Sequence, residues 1–426
     1  LAIHIFAVLV LFGIVRRTLL QPALRRRYET MAVPLAFVVT IIWAIHPLQT
    51  ESVDYVVQRA ESLMGLCYLL TLYGFVRATE PEAPGFWSAL TVGACLLGMA
   101  SKEVMVSAPL MVLLYDRTFV AGTFRESWRR RQRLYASLAA TWLVLAWLVL
   151  DSKGRGGTAG FAAGVVWWQY SLTQCTAIVH YLGLSLWPFP LIFDYGTDLT
   201  THPGEILPAI AIIAVLVTGT VIALWRRPMI GFAGAWFFAI LAPTSSVMPV
   251  ATQTIAEHRM YLSLAAVVAL GAVGIHALLG RRGLIGLTGL AAGLGILTAQ
   301  RNLDYRSAIA LWQDTVTKRP GNARAHNYLG TVLLLQGRMA EAAGHIEQAL
   351  QIKPDFALAH NNLGVALVRL GRVPDAIAHY EAALRLNPTD GNIPHNLGDA
   401  LLLIGRVQEA AEQYEHALQL RPDFAD

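Results

Sequence analysis

Residues 355–388 read DFALAHNNLGVALVRLGRVPDAIAHYEAALRLNP, and the same skeleton of small residues and prolines stands one period before and one after. Gly330, Gly364 and Gly398 lie 34 residues apart; so do Gly337, Gly371 and Gly405, Ala342, Ala376 and Ala410, Ala349, Ala383 and Ala417, and Pro354, Pro388 and Pro422. Registers in phase at that period mark the tetratricopeptide repeat, a pair of helices that buries its apolar face only by stacking on its neighbours. The small residues let paired helices approach closely, and each proline stops a second helix before the next unit starts. This register predicts repeats at 321–354, 355–388 and 389–422. Carried backward it meets Ala308 and Pro320, which predicts a half repeat over 305–320.

Outward from the repeats the composition changes. The 426 residues are 55% hydrophobic and only 14% charged, with a mean hydropathy of +0.49, whereas soluble proteins carry about 25% charged residues. The deficit is local to residues 1–300, while 301–426 read as an ordinary soluble helical segment. Apolar runs stand at about 1–15, 31–46, 62–78, 85–100, 104–115, 134–150, 207–225, 229–243, 262–280 and 283–300. Several are shorter than the ~20 residues of a full membrane span. The expected fold is all-α: a polytopic membrane helix bundle over 1–300, followed by a tetratricopeptide α-solenoid over 301–426. Leu1 stands inside an apolar run, so further sequence is expected upstream.

The net charge of +5 comes from arginines gathered between apolar runs. Arg16, Arg17 and Arg25 to Arg27 form one group, and Arg117, Arg125, Arg129 to Arg131 and Arg133 a second. Arg226 with Arg227 and Arg281 with Arg282 follow. Arginines in such positions set membrane orientation, which points to a lipid bilayer and away from nucleic acid as partner. The rule places those four loops in the cytoplasm, and loops 46–61, 101–103, 151–206 and 244–261 outside it. The repeats then emerge on the outer side, provided that the aromatic run Trp167–Trp187 lies in the interface without crossing. Cys67, Cys95 and Cys175 sit within apolar runs, with neither metal-ligand spacing nor a disulfide framework. There is no glycine-rich phosphate motif after a strand; Gly154-Arg155-Gly156-Gly157 reads as a flexible connection. No cofactor and no metal are expected.

The outer loops hold the candidate chemistry. In His46-Pro-Leu-Gln-Thr-Glu-Ser-Val-Asp-Tyr-Val-Val-Gln-Arg-Ala-Glu61, a helical conformation would set Glu51, Asp54 and Gln58 on one face, with Glu61 close by. Carboxylates there suit a general base for an incoming hydroxyl, and Arg59 suits a phosphate. The competing reading is an amphipathic linker whose charges merely avoid lipid. Lys102-Glu103 and Glu257-His258-Arg259 stand at two further outer turns, and Lys102, His258 and Arg259 together would suit an anionic lipid-linked phosphate. Asp194, Asp198, His202 and Glu205 form a possible rim, although Gly196 and Pro203 favour a loop over a metal-binding helix face. On the first helices of the repeats, Asn327, Asn361, Asn362 and Asn396 could hydrogen-bond the backbone of an extended peptide, or simply pack the helix.

Several of these residues also form a recognisable set. The helix Leu1-Ala2-Ile3-His4 ends in an Arg pair and is followed by His46-Pro47-x-x-Thr50-Glu51-(x)7-Arg59-Ala60. Lys102-Glu103, the stretch from His180 through Trp187-Pro188 to Phe193-Asp194-Tyr195, and Glu257-x-Arg259-x-Tyr261-Leu262 come after it. Together they resemble the TMTC proteins, multi-pass O-mannosyltransferases with lumenal tetratricopeptide repeats. The resemblance implies a C-type glycosyltransferase fold in the membrane region. It also implies transfer of a mannose-like sugar from a polyprenyl phosphate to Ser/Thr hydroxyls of a polypeptide held on the concave face of the repeats. The family's catalytic acid lies in a loop upstream of the position of Leu1. Glu51, Asp54, Glu61 and Glu103 are then expected as supporting acids, and Arg59, Lys102, His258 and Arg259 as donor-phosphate ligands. The expected location is a bacterial inner membrane, or the endoplasmic reticulum, and having only three lysines before residue 319 leans to the former. A non-enzymatic membrane-anchored scaffold and a lipid-linked sugar transporter are the competing functions.

Overall fold

A computed structural model describes residues 1–151, 167–197, 199, 202–245 and 253–422, and among these every regular element is a helix. Two units result: Leu1–Leu191 with Thr197–Leu303, and Ile192–Gly196 with Asp304–Asp426. Asp198 and the 154–157 glycine run lie outside the described residues.

The first unit contains α1 (Ala2–Leu19), α2 (Pro22–Tyr28), α3 (Ala32–Ala44), α4 (Thr50–Asp54), α5 (Arg59–Ala78), α6 (Pro84–Met99), α7 (Ala108–Tyr115) and α8 (Phe124–Asp151). After them come α9 (Trp167–Leu186), α10 (Pro203–Arg226), α11 (Pro228–Leu241), α12 (Met260–Leu279) and α13 (Arg281–Asp304). Proline opens α2, α6, α7, α10 and α11 within the first turn, where its missing N–H leaves no helical bond unmade. Six helical stretches are long and apolar enough to cross a bilayer: Ala2–Leu19, Pro22–Ala44, Phe124–Asp151, Pro203–Arg226, Glu257–Leu279 and Arg281–Asp304. The chain is a multi-pass membrane protein. The apolar run at 104–115 does not make a span. It divides into a 3-10 turn at Glu103–Ser107, the short α7 and a π turn at Asp116–Val120. Buried Asp116 in that π turn accepts two bonds of 2.8 Å from Arg131 and one from Tyr135, which ties it to α8.

The core of this unit is aromatic where α1, α3 and α12 meet. His4 Nδ1 lies 2.9 Å from the Tyr261 hydroxyl, and Trp43 Nε1 donates to the Tyr261 carbonyl at 2.8 Å. Gly65 of α5 packs on that ring: a Cβ there would come within 2.4 Å of Tyr261 Cε1.

The second unit runs from α14 (Ala308–Lys318) through three helix pairs: α15 (Ala323–Leu335) with α16 (Met339–Ile352), α17 (Ala357–Arg369) with α18 (Val373–Leu386), and α19 (Asn392–Leu403) with α20 (Val407–Leu420). Gly337, Gly371 and Gly405 all take φ of +77° to +78°. That left-handed turn lets the next residue's N–H reach back: Arg338 to the Leu333 carbonyl at 3.0 Å, Arg372 to Leu367 at 2.8 Å, Arg406 to Leu401 at 3.0 Å. A Cβ would strain this C-terminal closure of the first helix, which accounts for one of the glycine registers. In the same unit Asp194 accepts from Arg324 Nε and Nη2, both at 2.6 Å, and Phe193 stands edge-on to Trp312 at 5.2 Å.

Candidate functional site

His46–Glu61 does not form the single helix that would align Glu51, Asp54 and Gln58. A 3-10 turn at Pro47–Gln49 leads into α4, and Tyr55 leaves helical geometry at φ −82°, ψ 117°. A second 3-10 turn at Val56–Gln58 then starts α5. A single helical turn is not self-supporting, and here its direction follows the burial of Glu51, which is 2% exposed while Asp54 is exposed. The shared face is thereby corrected: the two acids end in different surroundings. His46 fixes the entry, its Nδ1 accepting the Leu48 N–H at 3.2 Å while Nε2 donates to the Ser185 carbonyl at 3.3 Å. Burial drives its pKa down to about 4, so this histidine is a neutral structural bridge at ordinary pH.

The structure joins the candidate acids to the candidate cations. Glu51 accepts the backbone N–H of His258 at 3.0 Å and meets its Nδ1 at 2.7 Å, with both side chains buried. Glu61, also buried, takes Lys102 Nζ. Four of the eight expected acids and phosphate ligands are therefore ties between loops, holding the 46–61 segment to Glu257–Arg259 and to the start of the 3-10 turn at Glu103–Ser107. Glu103 is partly buried. Arg59 is exposed and has no ion pair among the described residues. Asp54 accepts from the Asn302 amide at 2.8 Å once that amide is oriented to satisfy its neighbours, and desolvation pushes its carboxyl pKa up.

Arg259 is different. Its guanidinium is 5% exposed and has no carboxylate partner among the described residues. Nη1 points at the Tyr170 hydroxyl (3.4 Å), Gln174 Oε1 (3.2 Å), Ser245 Oγ (3.4 Å) and the Thr254 carbonyl (3.2 Å), and Nη2 donates to the Gln253 carbonyl at 2.6 Å. The two N–H donors of Nη1 cannot serve four acceptors well at once, and each Nη1 distance is long for a charged bond. The charge is thus held by neutral oxygens, and burying a cation in this way is costly without an anion. Tyr170, Gln174 and Tyr181 come from one side of α9. Tyr170 donates to the Thr244 carbonyl at 2.9 Å, Gln174 to the Thr254 carbonyl at 2.8 Å, and the Tyr181 hydroxyl accepts the Ala256 N–H at 2.8 Å. The sequence reading missed these three. Their spacing of four and seven residues within an aromatic run was the available sign of one functional helix face.

The remaining expected groups have partners or places of their own. Asp194 is engaged by Arg324 and Asn322, and His202 and Glu205 stand at the start of α10. In the repeats Asn327 is wholly buried, which corrects its assignment to peptide binding. Its Oδ1 accepts from Asn362 at 3.0 Å, and one step on Asn361 Oδ1 accepts from Asn396 at 2.9 Å. These amides lace successive first helices together, while Asn361, Asn362 and Asn396 keep part of their surface exposed. Asn396 also lines a groove of about 460 Å3 with Arg369, Tyr380 and Asp399.

Tetratricopeptide-repeat models match residues 296–357 and 355–423. Protein O-mannosyl-transferase Tmtc3 of Drosophila melanogaster is 25% identical, in a match covering 75% of this chain and 41% of that protein. Protein O-mannosyl-transferase Tmtc2 of the same organism is 31% identical over 37% of this chain and 18% of its own length. The chain spans less than half the length of these curated relatives. Among solved structures, MamA is 20% identical with a TM-score of 0.26, covering 38% of this chain and 90% of its own. The chain is a multi-pass membrane protein with tetratricopeptide repeats over residues 296–423, and it is similar to the Tmtc O-mannosyl-transferases over as much as three quarters of its length.

Proposed function

We propose that the membrane unit is part of a glycosyltransferase that moves a mannose-like sugar from a polyprenyl phosphate to Ser/Thr hydroxyls, with the repeats presenting the acceptor polypeptide. The similarity to proteins named O-mannosyl-transferases supports the reaction class. The observation that carries the reading is Arg259, a desolvated guanidinium that is hydrogen-bonded to neutral oxygens and makes no ion pair among the described residues. A donor phosphate would supply the missing negative charge, and its charge grows as the sugar leaves. In the transfer the acceptor oxygen bonds to the anomeric carbon and the bond from that carbon to the phosphate oxygen breaks. The electron pair departs with the phosphate, and a carboxylate takes the hydroxyl proton. A fixed guanidinium aimed at the leaving group stabilises that transition state more than the ground state.

Glu51 with His258 and Glu61 with Lys102 act as positioning pairs. They hold the segments flanking Arg259, and both carboxylates are already engaged, Glu51 by His258 and Glu61 by Lys102. Asp54 and Arg59, both exposed, face incoming molecules. The acids named here have supporting roles on this reading. On this reading the repeats and the acidic and basic loops work on the outer face of the membrane.

Full-length protein in detergent, given a polyprenyl-phosphate mannose and Ser/Thr peptides, should transfer sugar. Arg259→Gln should lower kcat about 100- to 1,000-fold, the usual cost of removing one aimed transition-state donor. Arg59→Ala should act mainly on KM. The absence of transfer above background by the intact protein would overturn the enzymatic reading in favour of a scaffold, and full activity of folded Arg259→Gln would remove Arg259 from the site.

A further inference from the structure

A cavity of about 660 Å3 opens inside the membrane unit, and none of the site residues assigned above lines it. Its walls are the apolar sides of four helices: Leu11 and Ile14 of α1, Leu69 and Leu72 of α5, Trp236 of α11 and Ala266 of α12. Its size falls within the roughly 300–1,000 Å3 of ligand-binding cavities. Arg27, Arg226 and Arg227 line the same cavity, the first at the end of α2 and the other two at the break between α10 and α11.

The charge accounting around these arginines is unequal. Neighbouring cations have found acids: Arg25 pairs with Glu29, and Arg17 and Arg77 share Glu80. Arg27, Arg226 and Arg227 are exposed and have no carboxylate partner among the described residues; Arg27 lies over the Tyr28 ring at 5.3 Å. Three unpaired guanidinium groups from two separate chain segments therefore meet beside one greasy cavity. Water or a free anion would satisfy the charges but not the walls, and an apolar molecule would do the reverse. An amphiphile with a negative head and an apolar tail satisfies both. The positive-inside rule places these arginines at the cytoplasmic face, where anionic phospholipids are available and basic pockets between membrane helices hold their head groups.

We propose that this cavity binds an anionic phospholipid, with its phosphate held by Arg27, Arg226 and Arg227 and one acyl chain lying along Leu11, Leu72 and Trp236. The proposal does not rest on the glycosyltransferase reading, because it uses none of the residues invoked there. The head group is recognised by charge alone, so a polyprenyl phosphate is the chemical rival, and the test separates the two.

The test is native mass spectrometry of the full chain from detergent, titrated with phosphatidylglycerol, with phosphatidylcholine of the same acyl chains, and with polyprenyl phosphate. One phosphatidylglycerol per chain should be retained with a preference over phosphatidylcholine of about tenfold to a hundredfold, as three nearby arginines would give. The combined variant Arg27→Gln, Arg226→Gln, Arg227→Gln should bring that preference to near one, with an unchanged thermal midpoint in detergent. Ala269→Trp, which fills the cavity while leaving the arginines, should weaken retention of both phospholipids. Equal retention of the two phospholipids by the unaltered chain, or a preference that survives the triple variant, would overturn the proposal. So would polyprenyl phosphate displacing phosphatidylglycerol at a tenth of its concentration.

Discussion

Gly364 and Gly344 lie in adjoining helices of the solenoid, and replacing each with alanine should move stability in opposite directions. A Cβ on Gly364 would stand 2.5 Å from Cε1 and 2.7 Å from Cζ of Tyr380, whose side chain is only 2% exposed between α17 and α18. The ring cannot retreat without parting the helix pair, and such overpacking costs about 1–3 kcal/mol. Alanine returns about 1 kcal/mol of helix propensity, so Gly364→Ala should destabilise by up to about 2 kcal/mol. A Cβ on exposed Gly344 of α16 meets nothing within 4 Å. Only the propensity gain remains, and Gly344→Ala should stabilise by nearly 1 kcal/mol. Hydrogen exchange of the full chain, read on peptides from 339–386, measures both, because each 1.4 kcal/mol is tenfold in protection. Gly330→Ala, facing buried Ile346 at 2.4 Å, should behave like Gly364→Ala. Gly398→Ala, facing the partly exposed Tyr414 at 2.8 Å, should be milder. If Gly364→Ala and Gly344→Ala raise protection equally, close helix approach is not what selects glycine at the 330, 364 and 398 register.

Three other outcomes follow from particular contacts. In a double-mutant cycle on Glu51→Gln and His258→Gln, each single change should lower the thermal midpoint and the double change should cost less than their sum, since removing one member of a buried pair strands the other at about 3–5 kcal/mol; strict additivity would show that the two do not interact. His326, His345 and His379 have pKa values lowered mainly by burial. Below pH 6.5 the unfolded chain therefore binds protons that the folded repeats refuse, so solenoid stability should be flat above that pH and fall towards pH 5; protection factors that do not fall over that range, each taken against the intrinsic exchange rate at its own pH, would refute the assignment. Asp194→Ala removes two charged bonds from Arg324 at a partly buried position and should destabilise the first repeat by about 1–3 kcal/mol, measured as faster exchange of α15 with no change in α20.

The repeats were legible because each register has a separate physical cause. Gly371 is required by a positive φ, Gly364 by a neighbouring ring, and Pro354 and Pro388 follow the ends of α16 and α18. Local chemistry of this kind repeats with the sequence. The membrane unit was legible in class but less so in its boundaries. Hydropathy found 134–150 but not the arginine-bearing helical turns that precede it from Phe124 and break at Arg131, where φ is −135° and ψ 28°. It also merged 104–115 into one run, although Pro109 in the first turn of α7 marks where the helix restarts.

The site was harder to read for a reason that composition could not reveal. Acids and bases crowded at loop ends are what a catalytic centre looks like in a sequence, and they are equally what a set of loop ties looks like. Glu51 and His258 are 207 residues apart and Glu61 and Lys102 are 41 apart, so nothing local records that they meet. The distinction lies in what remains after the pairs are drawn. Once Glu51 and Glu61 have taken His258 and Lys102, Arg259 is the buried cation of the group that makes no ion pair among the described residues, and its neighbours are hydroxyl, amide and carbonyl oxygens that a sequence reading treats as filler. Neutral acceptors orient a guanidinium without neutralising it. That leaves the charge available to a ligand, and it is why Arg259, rather than the more conspicuous acidic segment before it, is the residue on which the proposed function turns.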